Sequence, residues 1–421
     1  MSTSAATADT DRPWASRLAA LGPGLLAASA AIGASHLVSS TQAGALFGWQ
    51  LGLVIVLALV LKYPFFRFGP EYTAETGLSL VEGYARKGRP YLLVFFVLSA
   101  LSSVISTAGV TLLGTVILAW ILPSSWGLGV PVLAAALMGL TWLLLVGGHY
   151  KALDGVTKVI VVTLALGTVV AVVMAAGRTP VREAGFVDPS PWTLATLPFL
   201  VALVGWMPAP VEISALNSLW VKAKAQDRRL SRDGILFDFT TGYVVSGILA
   251  LFFLALGVFV QYGSGEELEM AGGAYIPQLM GMYGEAIGQW AVPLMAVVAF
   301  VTMFGTIISV VDGYGRACAE SLRLLRGQPR MSRRAKDTWI TLIAVVGLVI
   351  VIFMSAQLAG MLRFAMISAF LTAPVFAWLN FSLVRHEHRL SPGLRALSWA
   401  GLAFLAGFAV LFLLSLTGVL G

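Results

Sequence analysis

Long apolar stretches separated by short polar loops make up most of this 421-residue chain. Two of these stretches are interrupted by glycine, proline and small residues at corresponding places in the two halves. The first interruption, residues 30–36, follows Gly22-Pro23-Gly24 and reads from Ala30 to His36. The second, residues 205–212, reads Gly205-Trp206-Met207-Pro208-Ala209-Pro210-Val211-Glu212. We call these interruptions the first break and the second break.

The apolar pattern predicts an all-α membrane protein with eleven transmembrane helices. A stretch of about 18 residues or more is long enough to cross the hydrocarbon core of a bilayer. The eleven predicted segments are roughly 21–47, 49–68, 90–122, 127–147, 154–176, 192–220, 237–262, 280–312, 337–357, 360–384 and 396–419. The first break lies in segment 1 and the second break in segment 6.

Composition and charge agree with an integral membrane protein and argue against a nucleic-acid partner. The chain is 58% hydrophobic and 11% charged, which is typical of membrane proteins. Its net charge of +7 comes from basic residues concentrated in alternate loops. By the positive-inside rule, this places the N-terminus in the cytoplasm and the C-terminus outside, as in a bacterial inner membrane. The single cysteine, Cys318, excludes a disulfide within the chain.

The eleven segments divide into two sets of five and one extra helix. We predict a cytoplasmic segment 1–17 and one integral domain 18–421, with helices 1–5 at about 21–176, helices 6–10 at about 192–384 and helix 11 at about 396–419. Because five is odd, the second set enters the membrane from the opposite side, which predicts an inverted repeat. The two breaks occupy equivalent places in it. Paired interrupted segments indicate the binding site of a secondary transporter, because unwound backbone at membrane depth persists where it lines a cavity.

Glu212 and His36 are the titratable residues beside the breaks. A carboxylate at the bilayer centre is costly and should face protein or water. Glu212 is either a cation or proton site, or a carboxyl group that caps backbone N–H groups after the prolines. His36 either binds a metal or carries protons, or is a neutral side chain hydrogen-bonded across helices.

Other residues carry weaker signals. The Met207 thioether is a soft ligand for transition metals, although most such methionines only pack. Glu71, Glu75 and Glu82 are predicted to lie in a solvated cytoplasmic loop, and Asp312 with Arg316 to form an intrahelical ion pair. We find no nucleotide loop, zinc spacing or catalytic triad, so we expect no enzyme and no cofactor.

The pattern resembles the Nramp family of divalent-metal transporters. The resemblance spans the membrane region and rests on Gly22-Pro23-Gly24, on the small-residue run that ends in Ala43-Gly44, and on Met207-Pro208. It implies the LeuT fold, in which helices 1 and 6 are discontinuous, and a substrate site between them.

The chain departs from the family pattern at the residues that bind metal. Family members typically carry Asp-Pro-Gly-Asn at the first break, where this chain reads Gly33-Ala34-Ser35-His36. They read Met-Pro-His at the second break, where this chain has Met207-Pro208-Ala209. The charged residues that family members carry in helices 3 and 9 are absent from 90–122 and 338–354. The resemblance therefore implies the fold but neither the usual metal ligands nor the usual proton route.

Three functions remain open at this point. The first is secondary transport of a divalent metal through a remodelled site, with the metal as substrate. The second is a LeuT-fold carrier of a small organic solute such as an amino acid. The third is a membrane protein that keeps the fold without transport.

In each transport hypothesis the partners are the substrate and the bilayer, and the sequence defines no oligomeric state. Predicted metal ligands are His36 and Met207, and predicted proton-coupling groups are His36 and Glu212. The predicted substrate-binding residues are Gly33, Ala34, Ser35, His36, Val204, Met207, Ala209 and Glu212.

Overall fold

In the part of the chain that it describes, the computed structural model consists of helices joined by loops, without a strand. The described residues are 22–148, 150–177, 182–227, 231–266, 268, 274–387 and 390–417. The predicted cytoplasmic segment 1–17 lies outside them. Within them, eight helices have the length and apolar composition of membrane spans, so the chain is an integral membrane protein in which several apolar helices follow the predicted segments.

The helices are numbered here in chain order. They are α1 (Pro23–Ala31), α2 (Thr41–Phe47), α3 (Gly52–Thr76), α4 (Leu80–Lys87), α5 (Arg89–Ile121), α6 (Val130–Gly147), α7 (Tyr150–Ala176), α8 (Leu197–Trp206), α9 (Ile213–Asp227), α10 (Arg232–Val260), α11 (Tyr275–Ala286), α12 (Ala291–Leu325), α13 (Arg333–Phe353), α14 (Leu358–Glu387) and α15 (Pro392–Leu416). A π-helical stretch, Ser35–Ser40, joins α1 to α2.

Both predicted interruptions are present. Segment 1 is divided into α1 and the π-helical stretch followed by α2, and segment 6 into α8 and α9. In the first break the chain leaves the helix at Ile32 and Gly33, slightly earlier than the predicted Gly33–Ser35. The helix resumes early because the Ser35 hydroxyl donates to the Ala31 carbonyl 2.7 Å away and bridges the gap.

Segment 1 packs against α10 with backbone close to backbone. A Cβ atom on Gly44 would lie 2.0 Å from the Leu254 carbonyl oxygen, and one on Gly257 would lie 2.2 Å from the Thr41 carbonyl oxygen. Glycine at a helix crossing permits this approach, which increases van der Waals contact where lipid supplies no hydrophobic driving force. The crossing fixes the register of segment 1, and therefore of the first break, along α10.

The predicted solvated loop at Glu71, Glu75 and Glu82 is wrong. All three carboxylates lie on helices and form ion pairs with other elements: Arg232 at the start of α10 bridges Glu71 and Glu75 at 2.6 and 2.8 Å. Glu82 accepts from Lys222 of α9 at 2.6 Å. Sequence spacing did not reveal these pairs because the partners are more than 130 residues away. The predicted pair Arg316–Asp312 is confirmed at 2.7 Å.

The Glu82 pair gives stability a pH dependence with a defined sign. Burial opposes ionisation of this carboxyl, but hydrogen bonds from Lys222 and from Ser79 outweigh it and hold the pKa below its usual value. The ion pair therefore stabilises the folded protein fully when the pH is above the pKa that Glu82 has in the unfolded chain. This stabilisation is lost as the pH falls through the pKa that Glu82 has in the folded protein. We expect Glu82→Gln to lower the free energy of unfolding at pH 7 by about 1 kcal/mol or less, measured as a fall in the melting temperature in detergent.

That difference should disappear as the wild type is acidified, because protonated glutamic acid resembles glutamine. The control is Glu266→Gln, which changes an exposed carboxyl and should show no pH-dependent difference. A gap between wild type and Glu82→Gln that stays constant down to pH 3.5 would contradict the assignment.

Candidate functional site

The two breaks meet inside the protein. The Ser35 hydroxyl of the first break lies 3.5 Å from the Pro208 carbonyl oxygen of the second. A cavity of about 30 Å³ lies at this contact, with room for roughly one water molecule. Its walls are Ala30, Ala31, Ala34, Ser35, Ser106, Val110, Trp206, Pro208, Ala209, Pro210, Ile213, Thr306, Val310 and Tyr314.

The polar side chains that line this cavity carry hydroxyls and one indole N–H. Ser35, Ser106, Thr306 and Tyr314 supply the hydroxyls. Trp206 is 4% exposed, and its Nε1–H has no hydrogen-bond partner among the described residues. A buried donor without an acceptor is costly, so this indole is a place where a ligand acceptor would be stabilised.

A second cavity, of about 20 Å³, lies on the other side of the contact and shares Ala31, Pro208, Ala209 and Ile213 with the first. Three of these four residues, Ala31, Pro208 and Ala209, are small or proline residues of the two breaks. The two cavities are therefore separated by the residues at which the breaks meet.

The backbone groups released at the first break are satisfied by side chains. The Thr306 hydroxyl donates to the Ser29 carbonyl at 3.0 Å. At the other end of α1, the Asp238 carboxylate accepts from the Gly22 and Gly24 backbone N–H groups at 3.0 and 2.7 Å. A carboxylate at a helix N-terminus satisfies unpaired donors and complements the helix dipole.

His36 is fully buried and uses both ring nitrogens. Nε2 lies 2.9 Å from the Ser246 carbonyl oxygen of α10, which can only accept, so Nε2 carries the proton. Nδ1 lies 2.8 Å from the Ser35 hydroxyl, for whose single proton Nδ1 and the Ala31 carbonyl are competing acceptors. This is the geometry of a neutral histidine hydrogen-bonded across helices, the second of the two interpretations from the sequence.

The second break is held by Lys62, which the sequence analysis missed. The Lys62 ammonium donates to the carbonyl oxygens of Val204, Gly205, Met207 and Ala209 at 3.0, 3.2, 2.7 and 2.9 Å. The Met207 side chain is fully buried in the same core region. Lys62 was counted among the basic residues of the cytoplasmic loops and helix ends and was therefore overlooked. Its position inside the apolar segment 49–68 is nevertheless a signal of a functional site.

Glu212 is buried where α9 begins. Its Oε1 accepts from the Tyr314 hydroxyl at 3.0 Å. Of the predicted substrate-binding residues, Ala34, Ser35 and Ala209 line the cavity at the contact between the breaks. The others, Gly33, His36, Val204, Met207 and Glu212, lie beside it and are not among its walls. Within the described residues no cluster of three or more His, Cys, Asp or Glu side chains is placed to hold a metal ion.

We expect Asp238→Asn to destabilise the protein because the amide offers one acceptor where the carboxylate serves two backbone donors. The expected loss is about 1–2 kcal/mol, measured as a fall in the melting temperature of purified protein in detergent. Asp233→Asn removes an exposed carboxylate from the first turn of α10 and should have a smaller effect. Equal effects of the two substitutions would show that the contacts with Gly22 and Gly24 contribute nothing.

Comparison with known proteins supports the geometry. The profile of the natural resistance-associated macrophage protein-like family (Nramp) matches residues 24–415. An uncharacterized protein, PM0681, of Pasteurella multocida (strain Pm70) is 47% identical over 409 residues, which cover 96% of this chain and 94% of the relative.

Solved structures share the fold at low sequence identity. A mutant of the Eremococcus coleocola manganese transporter matches with a TM-score of 0.72 at 13% identity, over 98% of this chain and 90% of that one. Mhp1, a nucleobase-cation-symport-1 family transporter with bromovinylhydantoin bound, matches with a TM-score of 0.59 at 16% identity, over 95% and 92%. The fold is therefore LeuT-like.

Proposed function

The chain belongs to the Nramp family, and on that premise we propose that it is a secondary transporter that holds its substrate between the two breaks and works by alternating access. Members of this family are transporters, and metal-ion transport fits the family. The proposal includes eleven membrane-spanning helices in one domain, arranged as a five-plus-five inverted repeat. The contact between the breaks, Ser35 to Pro208, supports this arrangement because it lies at the expected interface of the two repeats.

The substrate that the geometry favours is a small organic solute with a carboxylate or carbonyl group. The observation that carries this is the composition of the cavity walls: hydroxyls and the Trp206 indole N–H, without a carboxylate or thioether. The α9 helix begins at this cavity, and a helix N-terminus stabilises an anionic group. The solute would occupy the space formed when the two neighbouring cavities join.

Charge balance also favours an organic solute. Lys62 brings one positive charge to the second break, and Glu212 can offset it by at most one negative charge, so the pair carries no net negative charge. A divalent ion stripped of water needs compensating negative charge. The ammonium also occupies four carbonyl oxygens that would otherwise be available as ligands.

A divalent metal is the second candidate, favoured by the family and by the position of His36 and Met207 next to the breaks. In this case the His36 ring would release the Ser35 hydroxyl to expose Nδ1, and Glu212 would supply nearby charge. Imidazole and thioether ligands favour softer ions such as Mn²⁺, Fe²⁺ or Cd²⁺ over Mg²⁺ and Ca²⁺. Proton coupling through His36 and Glu212 is part of the proposal for either substrate.

A thermal-shift comparison separates the candidates. Purified protein is titrated with a panel of small carboxylates, amino acids and cyclic amides, and in parallel with MnCl₂ and CdCl₂. We expect an organic compound to raise the melting temperature of the wild type, and Trp206→Phe to weaken its binding by about tenfold, because phenylalanine keeps the aromatic surface without the donor.

The matched control is Trp192→Phe, since Trp192 is 63% exposed and is not among the cavity walls; it should bind as the wild type does. Uptake of the same compound into proteoliposomes tests transport directly. Saturable stabilisation by Mn²⁺ or Cd²⁺ that is lost in Met207→Ala, with no response to organic compounds, would establish the second candidate instead.

A further inference from the structure

The Lys62 side chain crosses from α3 into the second break and ends in a cluster of backbone oxygens. It is fully buried, and its Nζ lies between 2.7 and 3.2 Å from four carbonyl oxygens of segment 6. These carbonyls belong to the last turn of α8 and to the residues after it, where the regular hydrogen bonds of the helix end. Of the four, the Val204 carbonyl also accepts from the Met207 N–H at 3.3 Å. Left without partners in the membrane interior, they would be destabilising.

This arrangement has the chemistry of a cation site. A ring of backbone carbonyl oxygens is how proteins replace the hydration shell of a small cation. An ammonium group offers three donors and no acceptor, so four surrounding acceptors fit the charged form better than a neutral amine, which would turn a lone pair toward one of them. The Phe66 ring, 5.8 Å from Nζ, adds a favourable cation–π contact.

We propose that Lys62 is a tethered cation that fills this carbonyl cluster permanently, so that the second break keeps its shape without a mobile ion. The substitution of the tether by a small side chain would leave a site for a monovalent cation of similar size. The proposal concerns the stability of the second break and does not depend on which substrate is carried, so it can fail independently of the proposed function.

Lysine suits this position better than arginine because of the shape of its charged group. Lysine presents a compact ammonium that can be surrounded by acceptors, whereas the planar guanidinium of arginine directs its donors in a fork. Lys62 is therefore a positioning residue for the second break.

The test measures thermal unfolding of the full-length protein in detergent, in choline chloride and in NaCl, KCl and NH₄Cl at equal ionic strength. We expect the wild type to melt at the same temperature in all four salts. Lys62→Ala should melt about 5–10 °C lower in choline and should regain part of this loss, in a saturable manner, with at least one of the small cations.

The control is Lys87→Ala, which removes a half-buried lysine that donates to the Ser382 carbonyl and lies over the Tyr91 ring; its melting temperature should be the same in all four salts. Lys62→Met keeps the bulk of the side chain without the charge and should melt below the wild type in every salt, because the thioether fills the space and leaves no cation site.

Three results would overturn the proposal. One is a wild type that small cations stabilise as strongly as they stabilise Lys62→Ala. Another is a folded Lys62→Ala that no cation stabilises. The third is a Lys62→Met protein as stable as the wild type; this arm decides the question even if Lys62→Ala cannot be isolated.

Discussion

Backbone polar groups released inside a membrane protein must find partners within the protein, and the rest of this structure depends on how the two breaks meet that requirement. At the second break the Lys62 ammonium group donates hydrogen bonds to four carbonyl oxygens. At the first break the Ser35 and Thr306 hydroxyls donate to the Ala31 and Ser29 carbonyls. The helices can end at membrane depth because these donors are placed beside them.

The way the breaks are stabilised determines what is left for a substrate. Of the titratable side chains described at the second break, Lys62 donates to the backbone and Glu212 accepts from Tyr314. The cavity at the contact between the breaks is left with hydroxyls and the Trp206 indole. Its chemistry is that of a site for hydrogen-bond acceptors, which differs from the acidic metal site that the resemblance to Nramp proteins implies for typical members.

The sequence was sufficient for the helical architecture and for the position of both breaks, because apolar length, proline and glycine act locally. It did not reveal which side chains form hydrogen bonds with the backbone of segments 1 and 6, since these pairs depend on packing between segments that are distant in sequence. Asp238 is more than 200 residues from the N–H groups it caps, and Lys62 more than 140 from its carbonyls. Lys62 was nevertheless visible as a lysine inside an apolar segment. His36 is the reverse case: its place beside the break suggested chemistry, and the structure shows a histidine fully engaged in hydrogen bonds.

Segment 1 is attached to α10 at several places along its length. Asp238 holds the start of α1, Ser246 holds His36, and the Gly44 crossing with Leu254 holds α2. Lys62 attaches segment 6 to α3. In turn α3 is joined to α10 by the ion pairs of Arg232 and by the Tyr243 hydroxyl, which donates to the Leu59 carbonyl at 2.6 Å. The direct hydrogen bonds between segments 1 and 6 are longer, 3.5 Å from Ser35 to Pro208 and 3.4 Å from Asn217 to Pro23, so each broken helix is secured by its unbroken neighbour more than by the other broken helix.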